Sequence, residues 1–298
     1  MRSRSIFMAV LALSVGWLSV ILSISGAAWA AQTSGAVALN SPNGIAFDSH
    51  GNLFVANAGS NQVLEYNSSL QQIAVISSGL SKPTRLAFDH YGHLYVANGG
   101  NNSITVYDNQ LNQILQRTIS AGLATPLGIA VDAYEDVYVS NNATNDVKVF
   151  NIEGELIETL THDNSGRSFS APGVMAIYGL NLYVGTGPSA GQNAVTSYNV
   201  GEFLTNNPRE VVTFTDQVNT GPTGIAFDKD GNVYVSDFYS NTATKYDPKG
   251  KLVLVISDQI AQCEGIAVDK SGNIYVANST LNTVTEYNAG GTLVNTIH

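Results

Sequence analysis

The chain has 298 residues, 44% of them hydrophobic and 12% charged, with 28 glycines, a single cysteine and a formal net charge of −10. One cysteine excludes a disulfide framework and a thiolate metal cluster, so stability has to come from strand pairing and packing. The acidic balance excludes a surface built to neutralise phosphate backbones, and nucleic acid is not an expected partner.

The first thirty residues read as a secretion signal. Arg2 and Arg4 give a positive end, Ile6 to Ile24 is almost wholly apolar or small, and Ala28-Trp29-Ala30 supplies a small-x-small cleavage pattern. The mature chain is expected to start at Ala31, to be secreted or periplasmic, and to carry a charge of about −12 once Arg2 and Arg4 are gone. A run of ~18 apolar residues can also span a bilayer. An uncleaved N-terminal anchor is therefore the alternative, and no other membrane contact is expected.

Residues 31–298 read as one domain built from an internal repeat. Asn43-Gly44-Ile45-Ala46-Phe47-Asp48 through Leu53-Phe54-Val55-Ala56-Asn57 returns as Thr223-Gly224-Ile225-Ala226-Phe227-Asp228 through Val233-Tyr234-Val235-Ser236-Asp237. The anchors Asp48, Asp89 and Asp132, a degenerate copy near Tyr178, and Asp228 and Asp269 mark six units once the long interval between Asp132 and Asp228 is divided in two. The first unit holds four β-prone runs, Ile45–Asp48, Leu53–Asn57, Val63–Tyr66 and Gln72–Ile76, separated by Gly, Asn, Asp and Ser. No helical periodicity follows residue 35, and four strands per unit at this spacing is the pattern of a propeller blade. The expected fold is all-β, a six-bladed β-propeller of four-stranded antiparallel blades. Every unit is expected to supply its own fourth strand. Thr292 to Ile297 would be the outer strand of the last blade, and Ala36 to Leu39 an edge strand or clasp not needed for closure.

With strands a to d running outward from the axis, the d-to-a and b-to-c loops share one face and the a-to-b turns lie on the other. The recurring Asp residues open those tight turns, where an Asp side chain holds its own backbone amides. The columns Phe54, Tyr95, Tyr138, Tyr183, Tyr234, Tyr275 and Tyr66, Tyr107, Phe150, Tyr198, Tyr246, Tyr287 are packing positions between blades. The second Asn of Asn57…Asn61, Asn98…Asn102, Asn141…Asn145 and Asn278…Asn282 is expected to tie down its b-to-c loop.

The phrase Pro-x-Gly-Ile-Ala-Phe/Val-Asp, then Gly-Asn-x-Tyr-Val-Ala-Asn, then Asn-x-Val-x-x-Tyr, seen at Pro42 to Tyr66, Pro126 to Phe150 and Cys263 to Tyr287, resembles the NHL-repeat propellers. More loosely the chain resembles the regucalcin/gluconolactonase-like propellers. The resemblance implies the fold strongly and the function weakly, because such families hold enzymes, scaffolds and nucleic-acid binders. In the gluconolactonase-like enzymes a Glu, Asn and Asp set at the channel mouth binds a divalent cation, usually calcium, and an acidic residue serves as base for lactone hydrolysis. Here Glu264-Gly265 and Asn43-Gly44 match two pieces of that set, while the Asp-Gly piece is missing at Thr84, Leu127 and Thr223. Asp237 could supply a third oxygen, giving Glu264, Asn43 and Asp237 as the alternative calcium site, although calcium takes six to eight oxygens.

Arg85 takes a position that is Gly in four of the six copies and is expected to pair with Glu264 across the channel mouth. The five histidines show no zinc spacing, and no nucleophile elbow or phosphate loop is present. No catalytic residue is assigned. The longest b-to-c loop, Gly185 to Asn193, and the pair Phe238-Tyr239 beside Asp237 suggest where a rigid scaffold would present a binding site. The expected function is an exported, non-catalytic propeller without cofactor that binds a protein, peptide or glycan through Asn43, Arg85, Asp237, Phe238, Tyr239 and Glu264. The alternative is a calcium-dependent lactonase-like hydrolase.

Overall fold

The computed structural model describes residues 35–162, 168–186, 194–199, 210–214 and 221–298. The readings made for residues 1–30 and for the loop that follows Thr186 lie outside the described residues.

Six antiparallel sheets form the ring. Blade 1 is β1 (Pro42–Phe47), β2 (Leu53–Asn57), β3 (Gln62–Tyr66) and β4 (Gln72–Ile76), paired in that order. Blade 2 has β5 (Pro83–Phe88), β6 (Leu94–Asn98) and β7 (Ser103–Tyr107), and blade 3 runs from β8 (Pro126–Val131) through β9 (Val137–Asn141) and β10 (Asp146–Phe150) to β11 (Leu156–Leu160). Blade 4 comprises β12 (Pro172–Tyr178), β13 (Asn181–Thr186), β14 (Ala194–Asn199) and β15 (Glu210–Phe214). Blade 5 comprises β16 (Pro222–Phe227), β17 (Val233–Asp237), β18 (Thr242–Tyr246) and β19 (Leu252–Ile256); blade 6 comprises β20 (Cys263–Val268), β21 (Ile274–Asn278), β22 (Thr283–Tyr287) and β23 (Leu293–Ile297). The six-bladed propeller expected from the repeat is the fold observed.

Blade 2 corrects one expectation. Its fourth strand is reduced to two bridges, Ile104 with Ile119 and Tyr107 with Gln113, around a 3-10 turn at Leu115–Arg117. The interval from Gln113 to Ile119 is two residues longer than the matching Gln72 to Ile76 of blade 1, and a strand cannot absorb an even insertion without looping it out. The same two residues lengthen the spacing from Asp89 to Asp132.

The second strands are buried throughout in five blades and at all but the end residues of β13, whereas the outer strands are largely exposed before a buried last residue in β4, β11, β19 and β23. The apolar residues gather into six clusters, one at each blade junction; that between blades 6 and 1 joins Tyr275, Ala277 and Ile297 to Leu39, Ile45 and Tyr66. Both aromatic columns sit in these junctions wherever their side chains are described. Folding energy therefore comes from blade-on-blade burial, in which each large side chain removed from water contributes about 1.5–3 kcal/mol.

The turn aspartates act locally. Asp48 Oδ1 accepts from the amides of His50 (2.9 Å) and Asn52 (2.8 Å), and Asp89, Asp132, Asp228 and Asp269 repeat the pattern. The second asparagines reach further than expected. Asn61, Asn102, Asn145, Asn241 and Asn282, each in the left-handed conformation that Asn tolerates, accept through Oδ1 from the backbone amides of Lys82, Thr125, Ala171, Gln262 and Ser41 in the next blade, at 2.6–2.9 Å. The last of these closes the ring from blade 6 to blade 1. Residues 37–40 form a clasp and not a strand: Gln72 bonds both polar groups of the Val37 backbone, and Asn57 holds the Asn40 amide.

One carboxylate in this framework carries a cost. Glu65 accepts from Asn52 Nδ2 at 2.9 Å, yet burial first and the charge of Asp48 second push its carboxyl above the ordinary value of 4.5. A group raised on folding binds more protons in the folded state, so stability falls as pH rises through that window. Glu65→Gln keeps an acceptor for Asn52 and removes the charge. We expect it to raise the melting temperature by roughly 2 °C at pH 8, with the gain fading as pH is lowered toward 4.5. A gain that persisted in acid would contradict this origin.

Candidate functional site at the channel mouth

The first strands of the six blades converge on the axis, and in four of them the backbones approach so closely at the mouth that glycine is required. A Cβ at Gly44 would sit 2.6 Å from the Thr84 carbonyl oxygen, and one at Gly265 would sit 2.4 Å from that of Asn43. Arg85 stands at this register in blade 2 and sends its side chain across the opening.

Its guanidinium joins four blades. Nη1 donates to Asn43 Oδ1 in blade 1 and to the carbonyl of Thr84 at 2.8 Å. Nη2 donates at 2.6 Å to the carbonyl of Thr223 in blade 5, directly opposite, and lies 3.7 Å from Glu264 Oε2 in blade 6. Nε is buried without a partner. The Arg85 and Glu264 side chains are only 13% and 20% exposed. Burial raises the Glu264 carboxyl and Arg85 pulls it back, while burial lowers the Arg85 guanidinium against the opposing pull of Glu264. An arginine keeps its proton throughout, so Glu264 faces a fixed positive charge. Beneath it a chamber of about 40 Å³ leads past Ile45, Leu86, Ile129, Met175, Ile225 and Ile266 into a channel space of about 350 Å³.

Asn43, Arg85 and Glu264 are thus brought together as the repeat arithmetic implied. The participation of the Thr223 and Thr84 carbonyls has no side-chain signature and escaped sequence reasoning. Asp237 is buried at the end of β17, where its Oδ1 accepts from the amides of Tyr239 (3.2 Å) and Ser240 (3.1 Å). Its link to the mouth runs through Cys263, whose thiol donates to the Asp237 carbonyl at 3.1 Å and is pushed up to about 12, chiefly by burial. Phe238 and Tyr239 meet edge to face at 5.0 Å, and Tyr239 is 65% exposed on the same face.

The donor set does not fit a calcium ion. The Asn43 oxygen is occupied by Arg85, the Glu264 carboxylate faces a guanidinium, and a fixed positive charge stands where a cation would have to enter. Among the described residues no three His, Cys, Asp or Glu side chains converge as a metal-binding group.

In fold the chain is similar to a streptogramin B lyase, with a TM-score of 0.63 and 14% identity over 89% of this chain and 85% of that one. It is likewise similar to Kuenenia stuttgartiensis hydrazine synthase (TM-score 0.64, 16% identity, 87% and 99% covered) and to a chain of a nidogen/laminin complex (0.62, 16%, 85% and 92%). No curated protein matches the chain. Residues 219–242, in blade 5, match the NHL repeat, and residues 254–283, from the end of blade 5 into blade 6, match the SBBP β-propeller repeat, so this is a six-bladed β-propeller whose fifth blade carries the NHL repeat.

Proposed function

We propose that the chain is an exported, non-catalytic propeller that binds a protein, peptide or glycan through the face formed by its d-to-a and b-to-c loops. The observation that carries the reading is the Arg85 bridge. It commits to structure the two oxygens that a metal-dependent hydrolase would spend on its ion. What remains for recognition on that face is the rim, where Tyr239 presents an exposed ring braced by Phe238. Tyrosine offers large contact area at small entropic cost, which suits a binding rim. One chain of similar fold was solved in a nidogen/laminin complex, an assembly of proteins, which fits a protein partner.

Screening the mature protein against arrayed glycans and a displayed peptide library tests the reading. We expect a ligand whose affinity drops about tenfold in Tyr239→Ala and is indifferent to calcium chelation. Calcium-dependent hydrolysis of gluconolactone by the purified chain would overturn it.

A further inference from the structure

The opposite face carries a second departure from the repeat. In the a-to-b turns the residue three after the aspartate is a left-handed glycine, Gly51, Gly92, Gly231 and Gly272 at φ 79 to 89°. In blade 3 that place is taken by Glu135, at φ 67°. A left-handed position strains an L-residue such as Glu. The Glu135 side chain is turned inward, 7% exposed; its Oε1 lies 3.8 Å from His90 Nε2 of blade 2, and its Oε2 is buried with no hydrogen-bond partner. The neighbouring carboxylates Asp89 and Asp132 are occupied by their own turn amides. Two costs therefore fall on one residue that the fold does not need.

The tips of the same two turns are aromatic. Tyr91 is 60% and Tyr134 76% exposed, where blades 1, 5 and 6 carry His50, Asp230 and Ser271. His90, half exposed, packs at a tilt against Tyr91 with ring centroids 3.9 Å apart and lies over the Glu135 carboxylate. A buried carboxylate with a free oxygen beside exposed tyrosine rings is the chemistry that recognises an organic cation.

We propose that the turns of blades 2 and 3 form a binding site for the ammonium or guanidinium groups of a basic peptide segment on a partner protein. Glu135 supplies the charge, Tyr91 and Tyr134 the ring faces, and His90 the cover that swings aside. The net charge of −10 favours approach of such a segment. A neutral sugar would draw no benefit from a buried charge, and a metal ion would need more ligands than converge here.

Glu135→Gly restores the repeat's own residue, so it tests the site without endangering the fold. Titrated with a hexalysine peptide at about 100 mM salt, the wild type is expected to bind, Glu135→Gly to bind about tenfold more weakly while melting higher, and Tyr134→Ala to bind about threefold more weakly with unchanged melting. Loss of one among 23 acidic residues cannot do this through net charge alone. Absence of binding by the wild type, or binding by Glu135→Gly within about twofold of wild type, would overturn the assignment. So would retention of maltohexaose that depends on Tyr134 and not on Glu135, which would make the tyrosines a sugar platform.

Discussion

Deleting residues 291–298 is expected to leave no soluble, cooperatively melting protein. β23 pairs along β22 through Ile297 with Val284, Thr296 with Thr285, Asn295 with Glu286 and Leu293 with Tyr287, and Ile297 enters the cluster that seals blade 6 against blade 1. Its loss exposes the polar edge of β22 and opens a junction whose other half is the N-terminal clasp. The clasp cannot substitute, because residues 37–40 hold the ring through side-chain amides of Gln72 and Asn57 and have no strand register to offer. A net stability of about 5–15 kcal/mol does not survive removal of a whole strand and its core contacts. Near-normal melting of the truncated chain, followed by calorimetry, would show that closure lies elsewhere.

Breaking the Arg85 bridge is expected to leave a folded but markedly less stable protein. Arg85→Ala removes the charge facing Glu264 together with donors to Asn43, Thr84 and Thr223. Removing one partner of a mostly buried pair costs about 3 kcal/mol after allowance for the residual exposure of both groups. Glu264→Ala should cost less, about 1–2 kcal/mol, since the guanidinium keeps its three oxygen acceptors. Millimolar calcium should move neither the wild type nor the variants, whereas an ion bound at a hundred times its Kd would add ~2.7 kcal/mol. Thermal melts of the three proteins with and without calcium decide the matter. A calcium-dependent rise in the wild type that vanishes in Glu264→Ala would restore the hydrolase alternative.

The architecture was legible because the repeat writes each blade out again, and a strand pattern read in one copy is checked by the others. The Arg85–Glu264 contact was legible for the same reason: equal positions in different blades must face the same axis. Besides the Thr84 and Thr223 carbonyls, three features were not read. The reach of Asn61 and its counterparts into the next blade depends on left-handed backbone at both ends, which residue type alone does not reveal. The broken fourth strand of blade 2 was announced only by two extra residues between Asp89 and Asp132. Glu135 was visible as a Glu where other turns have Gly, but its inward direction belongs to the packing of two blades.

The asparagine hooks have a consequence for how the circle can be cut. The hook from Asn282 to Ser41 joins residues 241 apart in the chain, yet at 2.7 Å it is the same device as the hook from Asn61 to Lys82, which joins residues 21 apart. Peptide continuity between neighbouring blades is thus incidental to their adhesion. A circularly permuted gene, with His298 linked to Gly35 and new termini opened in an exposed turn such as that at Gly122, encodes the same molecule with its seam moved.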